Sequence, residues 1–375
     1  MKKNKTPPGE AGVCAVQTAA SPPLSGFGQD ASPDYYHAGL YYALREAVPV
    51  IDAAVTKLVR LTGGFCVRCS DPDAQAFLDD FLRRVPVNGC STGMENFMTA
   101  YFEQLLTCGT AIGEIVTDAA GQPAALYNAP LKNVELVRSQ NGFDVDLFVT
   151  ARGVREAVKY PDLVVLSALN PQPGAFSGVS LLHGLPFVGE ILLKILRTTG
   201  VNWDRCGNVR FAVTYKPQND ALDKAYAKER AMQVAREWSS AMSSHSVKDF
   251  IAVGDVQIKA IGADMPILDS EVPVRQLIEQ IVAKTGLPPF LLGLSWSTTE
   301  RMSSQQADAL TSELEAYRRV LTPAIEKICA VCLRLTGLDG GVQVMWDDIM
   351  LQDMVEQARA QLLTAQAENF NKEDV

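Results

Sequence analysis

Few side chains in this chain could do chemistry, and their spacing does not favour catalysis. The three histidines, His37, His183 and His245, lie in no nucleophile or metal motif. Ser177-Gly178-Val179-Ser180 sets small residues around a serine. It is not the G-x-S-x-G elbow that holds a nucleophile on a strained strand-to-helix turn. No G-x-x-x-x-G-K-[ST] occurs, and no G-x-G-x-x-G opens a helix. No cradle for nucleotide phosphates is therefore expected, and any work done on a polymer must be fuelled by a partner. These residues give no catalytic side chain and no cofactor, so the chain reads as a non-enzyme.

Cysteine is the strongest local signal. The eight are Cys14, Cys66, Cys69, Cys90, Cys108, Cys206, Cys329 and Cys332, and Cys66/Cys69 and Cys329/Cys332 have C-x-x-C spacing. Four thiolates can hold a structural zinc. The two pairs, however, lie more than two hundred residues apart. Cys329 and Cys332 fall on an expected helix. Cys66 and Cys69 fall on an expected strand, where an odd spacing points side chains to opposite faces. Buried free thiols are the plainer assignment, with no metal expected. Met1 to Thr6 is basic, but Pro7 to Gln29 has no apolar run of the kind an export signal carries. The thiols are therefore read as reduced ones of the cytosol. The longest apolar stretch, Leu181 to Leu196, is broken by His183, Pro186, Glu190 and Lys194, so no membrane span is expected.

The elements that must position these residues come from a chain of 375 residues, enough for roughly two or three domains. Hydrophobic residues make up 47% and aromatic residues 7%, which favours aliphatic helix packing over an aromatic β-core. The formal net charge is −9 and the pI about 5.0. A protein that grips DNA phosphates carries a basic face. If this chain meets DNA, it should do so without gripping it. The pairs Arg83-Arg84 and Arg318-Arg319 read as solvated helix faces.

Residues 1–39 are rich in Pro, Gly, Ser and Ala and read as a flexible arm, or as one that orders against a neighbouring subunit. Helical periodicity then covers Tyr41–Leu61, which Pro49 must kink or split and Gly63-Gly64 must end. Phe65–Cys69 reads as a strand, and Asp73–Val85 and Met94–Thr107 as helices. Period-two segments follow at Ala111–Val116, Ala124–Tyr127, Val134–Val137, Phe143–Val149 and Leu163–Leu166, with a turn at Asp118–Gln122. The lack of βαβ alternation excludes a doubly wound nucleotide-binding fold, leaving an α+β class. Further helices are expected at Leu181–Thr199, Asp220–Ser243 and Ser270–Thr285. A strand is expected at Asn208–Tyr215, and a β pair joining Asp249–Val253 to Val256–Ile261. A Gly/Pro/Ser/Thr-rich loop, Gly286–Ser304, leads to a long helix, Gln305–Thr336, interrupted by Pro323. A strand at Val342–Trp346 and a helix at Leu351–Asn369 close the chain.

Three segments carry a resemblance. Ile281-Val282-Ala283-Lys284-Thr285-Gly286-Leu287-Pro288-Pro289-Phe290-Leu291-Leu292-Gly293 has a helix ending at Gly, a Pro-containing turn and a loop leading to a long helix. Leu105-Leu106-Thr107-Cys108-Gly109-Thr110-Ala111-Ile112-Gly113-Glu114-Ile115 has a helix, a Gly break and a strand. Gly178-Val179-Ser180-Leu181-Leu182 looks like a G-[VI]-S lead into a helix. Together, and in this order over residues 40–370, they resemble the portal proteins of tailed double-stranded-DNA bacteriophages of the long-tailed or prophage type. Each motif is weak alone, and the order makes the set specific.

The resemblance implies an α+β portal fold and a division of the chain. Residues 40–178 would be a wing, 179–202 and 268–286 two stem helices, 203–267 a small clip, and 287–304 a tunnel loop. Residues 305–339 would be a long kinked wing helix and 340–375 a short crown, small for the family. It implies a homo-oligomeric ring, a dodecamer in virions, at one capsid vertex, assembled in the bacterial host cytoplasm. That ring would serve genome packaging, head-tail joining and DNA ejection. Its partners would be non-sequence-specific double-stranded DNA, the terminase packaging motor, a head-tail adaptor, and the major capsid or scaffolding protein. The tunnel-loop residues facing DNA would be Ser295, Trp296, Ser297, Thr298, Thr299, Glu300 and Arg301.

That loop suits a channel that must not hold its cargo. Ser and Thr make interchangeable hydrogen bonds to phosphates, and Glu300 offsets Arg301. Trp296 can pack beneath the loop or lean towards DNA. The stem carries Lys194, Arg197, Arg275 and Lys284 against Glu190, Glu271 and Glu279, a mixture suited to ion pairs between neighbours in a closed ring. Pro323 costs about 3 kcal/mol inside a regular helix, which points to a required bend in an element spanning about 50 Å. The alternative from another class is a cytosolic enzyme or a zinc-dependent factor using the C-x-x-C pairs. A head-tail adaptor is a third possibility, against which the length argues.

Overall fold

In this computed structural model the described residues are 33–139, 144–151, 153–207, 210–215, 226, 228–229, 231–236, 256–261, 269–294 and 300–349. The expected helix Leu351–Asn369, the segment Asp249–Val253, most of Asp220–Ser243 and residues 1–32 lie outside them.

The arm expected over residues 1–39 stops short of 39. Asp34–His37 is a 3-10 turn that continues directly into α1, Ala38–Ala47. Tyr35 is only 1% exposed, packed in a small core with Ile112, Leu131, Val134, Leu147 and Val164, which fastens this turn to the body. The expected single helix Tyr41–Leu61 is split by Pro49 into α1 and α2, Pro49–Leu61. Val48 is extended between them, and Pro49 sits at the start of α2, where a missing N–H costs nothing. Gly63 ends α2 with φ +80°.

Strand β1, Phe65–Cys69, leads to α3, Pro72–Arg84, which Asp71 caps by accepting from the Ala74 N–H at 2.9 Å. Short strands β2, Pro86–Val87, and β3, Ser91–Thr92, precede α4, Met94–Cys108. Nine side chains of α4 are buried, including Phe97, Tyr101, Phe102, Leu105 and Leu106, so this helix runs through the centre of the fold. Strands β4, Thr110–Thr117, β5, Pro123–Asn128, β6, Val134–Arg138, β7, Val145–Ala151, β8, Val154–Ala157, and β9, Val164–Ala168, follow. They match the sequence expectations to within two residues at most ends, with β2, β3 and β8 added. Among the described residues one five-stranded sheet has the order β3-β2-β5-β4-β9, and β6-β7-β8 form another.

Helix α5 is Leu185–Gly207, not Leu181–Thr199. Gly184 takes φ +87°, outside helical space, and Pro186 fits the first turn. Strands β10, Arg210–Tyr215, and β11, Val256–Ile261, pair antiparallel. The expected partner Asp249–Val253 lies outside the described residues; the described partner of β11 is β10, more than forty residues earlier. Helix α6, Glu271–Thr285, packs against α5. Helix α7 is Glu300–Thr336, 37 residues, or roughly 55 Å at the α-helical rise. Finally β12, Val342–Trp346, pairs antiparallel with β1, bringing residue 346 beside residue 65.

One core runs through most of these elements. α7 contributes Leu310, Leu314, Leu321, Ile325 and Ile328, all at most 2% exposed, at spacings of three, four and seven. Burying side chains of this size stabilises by about 1.5–3 kcal/mol each, so the long helix is bound into the body. The same core takes Leu185 and Leu192 of α5, Ile281 of α6, and Leu287 from the turn after α6.

Candidate functional site

Two of the three segments singled out in the sequence meet each other. Gly109 ends α4 with φ +75°, and a Cβ there would lie 2.6 Å from the Ser180 nitrogen and 2.7 Å from the Gly178 oxygen. A Cβ on Gly178 would collide with the Gly109 oxygen and with the Leu169 backbone. Neither position tolerates a side chain, so two glycines 69 residues apart let two backbones touch. Hydrogen bonds lock the contact: Leu169 N–H to Gly109 O at 2.8 Å, Val179 N–H to Leu169 O at 2.7 Å, and Leu181 N–H to Leu106 O at 3.0 Å. Ser180, 1% exposed, donates its hydroxyl to Thr107 O at 2.7 Å and accepts from the Leu182 N–H at 2.9 Å. Gly113, on β4, is filled from the other side, where a Cβ would meet the Phe97 ring at 2.5 Å.

Asp34 closes this junction from the N-terminal side. One carboxylate oxygen accepts the Ser180 N–H at 2.8 Å, and the other lies 3.1 Å from both the Tyr41 hydroxyl and His183 Nδ1. Arg45 ties the neighbouring helices across the Pro49 break. It reaches Asp52 at 2.7 Å, Glu103 at 2.8 Å and Thr107 Oγ1 at 2.9 Å. Burial opposes its charge, but the bonds to Asp52 and Glu103 outweigh that and raise its pKa. Neither Asp34 nor Arg45 was singled out in the sequence. The Arg45–Asp52 spacing of seven, across a helix break, was the available signal.

The junction aims α5. Gly189 lets α5 approach α1 closely, since a Cβ there would lie 2.6 Å from Leu44 Cδ1. Of the expected stem cations, Lys194 and Arg197 are exposed on α5, and Arg275 and Lys284 on α6. Arg275 pairs with Glu279 on its own helix at 3.0 Å. Among the described residues Lys194 and Arg197 have no ion-pair partner.

The third segment forms a compact corner between α6 and α7. Thr285 returns its hydroxyl to Ile281 O at 3.0 Å, Gly286 takes φ +69°, and Pro289–Leu292 make a 3-10 turn ending at Gly293, φ +75°. Leu287 is 1% exposed and Leu294 N–H bonds Pro289 O at 3.1 Å. Ser295, Trp296, Ser297, Thr298 and Thr299 lie outside the described residues. Glu300 and Arg301 belong to the first turn of α7, not to a loop. An acidic residue suits a helix N-terminus, where the macrodipole is positive, which lets the helix begin five residues before Gln305.

Further along α7, the expected solvated pair Arg318-Arg319 divides. Arg319 is exposed, but Arg318 is buried and donates from Nε and Nη2 to Thr62 O at 2.9 and 2.6 Å. Its guanidinium lies 5.2 Å from the centroid of the Trp346 ring, whose Nε1–H donates to Thr322 Oγ1 at 2.9 Å. Burial lowers its pKa, with Asp347 opposing. Pro323 does not interrupt α7, which is continuous through it. Cys329 and Cys332 are fully buried on α7, and burial pushes both thiols up to about 12. Cys69 is half-buried, but Cys66 is exposed on the opposite face of β1, so the four C-x-x-C thiols do not converge. The buried-thiol assignment holds for Cys329 and Cys332 and fails for Cys66. Among the described residues there is no group of three or more potential metal ligands, and no helix is long and apolar enough to cross a membrane.

No protein-family model matches the chain, and no curated protein matches it. Solved structures do. A chain from the neck of a native GTA (gene transfer agent) particle computed with C12 symmetry is 18% identical, covering 87% of this chain and 88% of that one, with a TM-score of 0.62. A chain from the neck of an empty GTA particle computed with C6 symmetry is 17% identical over 86% and 88%, with a TM-score of 0.63. An HK97 family phage portal protein from Corynebacterium diphtheriae is 15% identical over 81% and 95% of the two chains, with a TM-score of 0.43, too loose to bear on the fold. This α+β chain shares its fold, nearly end to end, with a chain of the particle neck.

Proposed function

We propose that this chain is a phage-type portal protein, a non-enzymatic ring subunit that forms the DNA channel at one vertex of a virion or virion-like particle. The observation that carries this is the shared fold with a chain from a C12-symmetric particle neck, over 87% of this chain and 88% of that one. The ordered motifs support it independently. The Gly109–Gly178 contact makes one junction of two of them, and the third is a tight corner ending at Gly293, before α7 begins at Glu300.

In this reading residues 40–178 are the wing, α5 up to residue 202 and α6 the stem, 203–267 the clip, and α7 the long wing helix. Residues 340–375 supply a short crown. The wing and long helix would act as one rigid body, since their side chains share a core. Ser295–Thr299, between the corner at Gly293 and the start of α7, would face the DNA, with Glu300 and Arg301 at its helical edge. An acidic subunit, formal charge −9, suits a conduit that lets duplex slide, because each phosphate contact would add salt-dependent affinity. Terminase, a head-tail adaptor, and capsid or scaffolding protein would be its partners in packaging, head-tail joining and ejection, without a nucleotide or metal cofactor. The zinc alternative loses its ligand set with Cys66 turned away from Cys69.

The test is the solution mass of the purified full chain. Light scattering coupled to size exclusion should give a closed ring of about twelve subunits, the symmetry of the particle neck whose chain shares this fold. A single subunit of 40.7 kDa, or a dimer, at micromolar concentration would contradict the proposal.

A further inference from the structure

A cleft of about 590 Å³ opens where the described chain begins. It is lined by Pro33 and Asp34, by Leu136 and Arg138 of β6, and by the loop that follows β9. Leu136, Phe176 and Val179, all half-buried, give it an apolar lining. Arg138 donates to Gly174 O at 2.6 Å, with its guanidinium 4.8 Å from the centroid of the Phe176 ring. The same loop carries Gly178 and Ser180 into the junction with Gly109. Whatever fills this cleft therefore bears on the root of α5.

The chain itself leads into the cleft. The turn Asp34–His37 is pinned on two sides: Asp34 accepts the Ser180 N–H at 2.8 Å, and the Tyr35 hydroxyl accepts the Leu136 N–H at 3.3 Å. This turn also packs on a second 3-10 turn, Leu131–Asn133, just before β6. Followed backwards from His37 to Pro33, the chain thus runs forwards beside β6, from residue 131 to Arg138. Pro33 is extended, φ −55° and ψ 142°, which carries that line onward. Among the described residues β6 is an end strand of its sheet, so its outer edge is open to another segment. The residues that continue the line are Phe27-Gly28-Gln29-Asp30-Ala31-Ser32. Six residues span at most about 20 Å, so Phe27 stays close to the cleft. Phe27 is the one aromatic residue among 1–32, and a glycine stands on each side of it. It can bring a large apolar side chain to the apolar lining. Its short tether gives it an effective concentration on the order of millimolar there, which a separate partner would have to exceed.

We infer that this cleft seats the chain's own residues 27–32, with Phe27 against Leu136 and Phe176. The docked segment covers the loop after β9 and braces the Gly109–Gly178 contact from outside. The inference goes beyond the portal reading and holds for a lone subunit as for a ring. Three full-length variants test it beside the unaltered chain. In the first, p-benzoylphenylalanine, a photocrosslinker, replaces Phe27 and keeps an aromatic ring there. On irradiation, residue 27 should join peptides 134–138 or 172–179 within one chain, and the product should run as a monomer on a denaturing gel. Covalent dimers through those peptides would put a neighbour's arm in the cleft. Crosslinks to other segments, or none, would leave the cleft to another occupant. Each of these results overturns the inference. The second variant is Phe27→Ala, and the third, Val13→Ala, controls for change elsewhere in the arm. Hydrogen exchange at 134–138 and 172–179 should quicken about tenfold in Phe27→Ala, the effect of uncovering an aromatic side chain's contact, and stay unchanged in Val13→Ala. Exchange in Phe27→Ala equal to that of the unaltered chain also overturns the inference. If circular dichroism showed Phe27→Ala unfolded, the crosslinking protein would still decide.

Discussion

At the scale of the residue, the fold depends on contacts that leave no room for a side chain and on buried cations, Arg45 and Arg318. Gly109 combines a left-handed backbone with a surface only 2.6–2.7 Å from where a Cβ would sit. Gly109→Ala should therefore cost about 3 kcal/mol or more, through strain and displacement of the Ser180 backbone together. Urea denaturation of the purified variant reads this directly, and a loss under about 1 kcal/mol would show that the junction relaxes freely. Arg318 is the second test. Its fork satisfies the Thr62 carbonyl twice and lies against Trp346. Arg318→Ala should destabilise by about 2–3 kcal/mol, and Arg318→Lys by a smaller but clear amount, since an ammonium cannot reproduce the fork. Unchanged melting temperatures for both would refute that role. The sequence flagged Gly109 and Gly178 separately, but no local pattern says that two glycines so far apart touch. Arg318 was hidden for another reason: beside Arg319 on an amphipathic helix it looks like the solvent face, and its burial depends on the Thr62 carbonyl, which is left free where α2 ends.

At the scale of the element, most helices and strands were legible because their apolar periodicity and their Gly and Pro boundaries agree. The split of Tyr41–Leu61 at Pro49 and the end of α4 at Gly109 are examples. What was misplaced lies where a local signal competes with tertiary structure. The apolar run from Leu181 suggested an early start for α5, but Ser180 is committed to Thr107 and Leu182, and Gly184 turns the chain before Pro186. The pairing of β1 with β12 joins opposite ends of the sequence, and that of β11 with β10 spans a long insertion. Neither has a short-range signature. Pro323 belongs at this scale too. The helix continues through it, so the proline has removed one hydrogen bond without ending the element. Pro323→Ala should raise the stability of the folded subunit while reducing the yield of closed rings, because a regular helix would not follow the path the ring requires. Negative-stain images of the variant showing rings in normal yield would remove that role from Pro323.

At the scale of the whole molecule, the five-stranded sheet, the β1–β12 pair, α7 and parts of α5 and α6 share one hydrophobic core. A subunit built this way transmits force as a block, which suits a part held in a capsid vertex while DNA moves past it. The chain's acidic balance and its candidate channel segment argue for passage without capture. The segment proposed to touch DNA rests on composition alone, Ser, Thr and Trp between a Pro-rich corner and a helix, and its residues 295–299 lie outside the described ones. The direct test is electron cryo-microscopy of the purified full chain. The account predicts a closed ring of subunits around an open hole, with residues 295–301 on its inner wall. A compact particle with no central opening, or a ring in which Trp296 lies far from the hole, would contradict it.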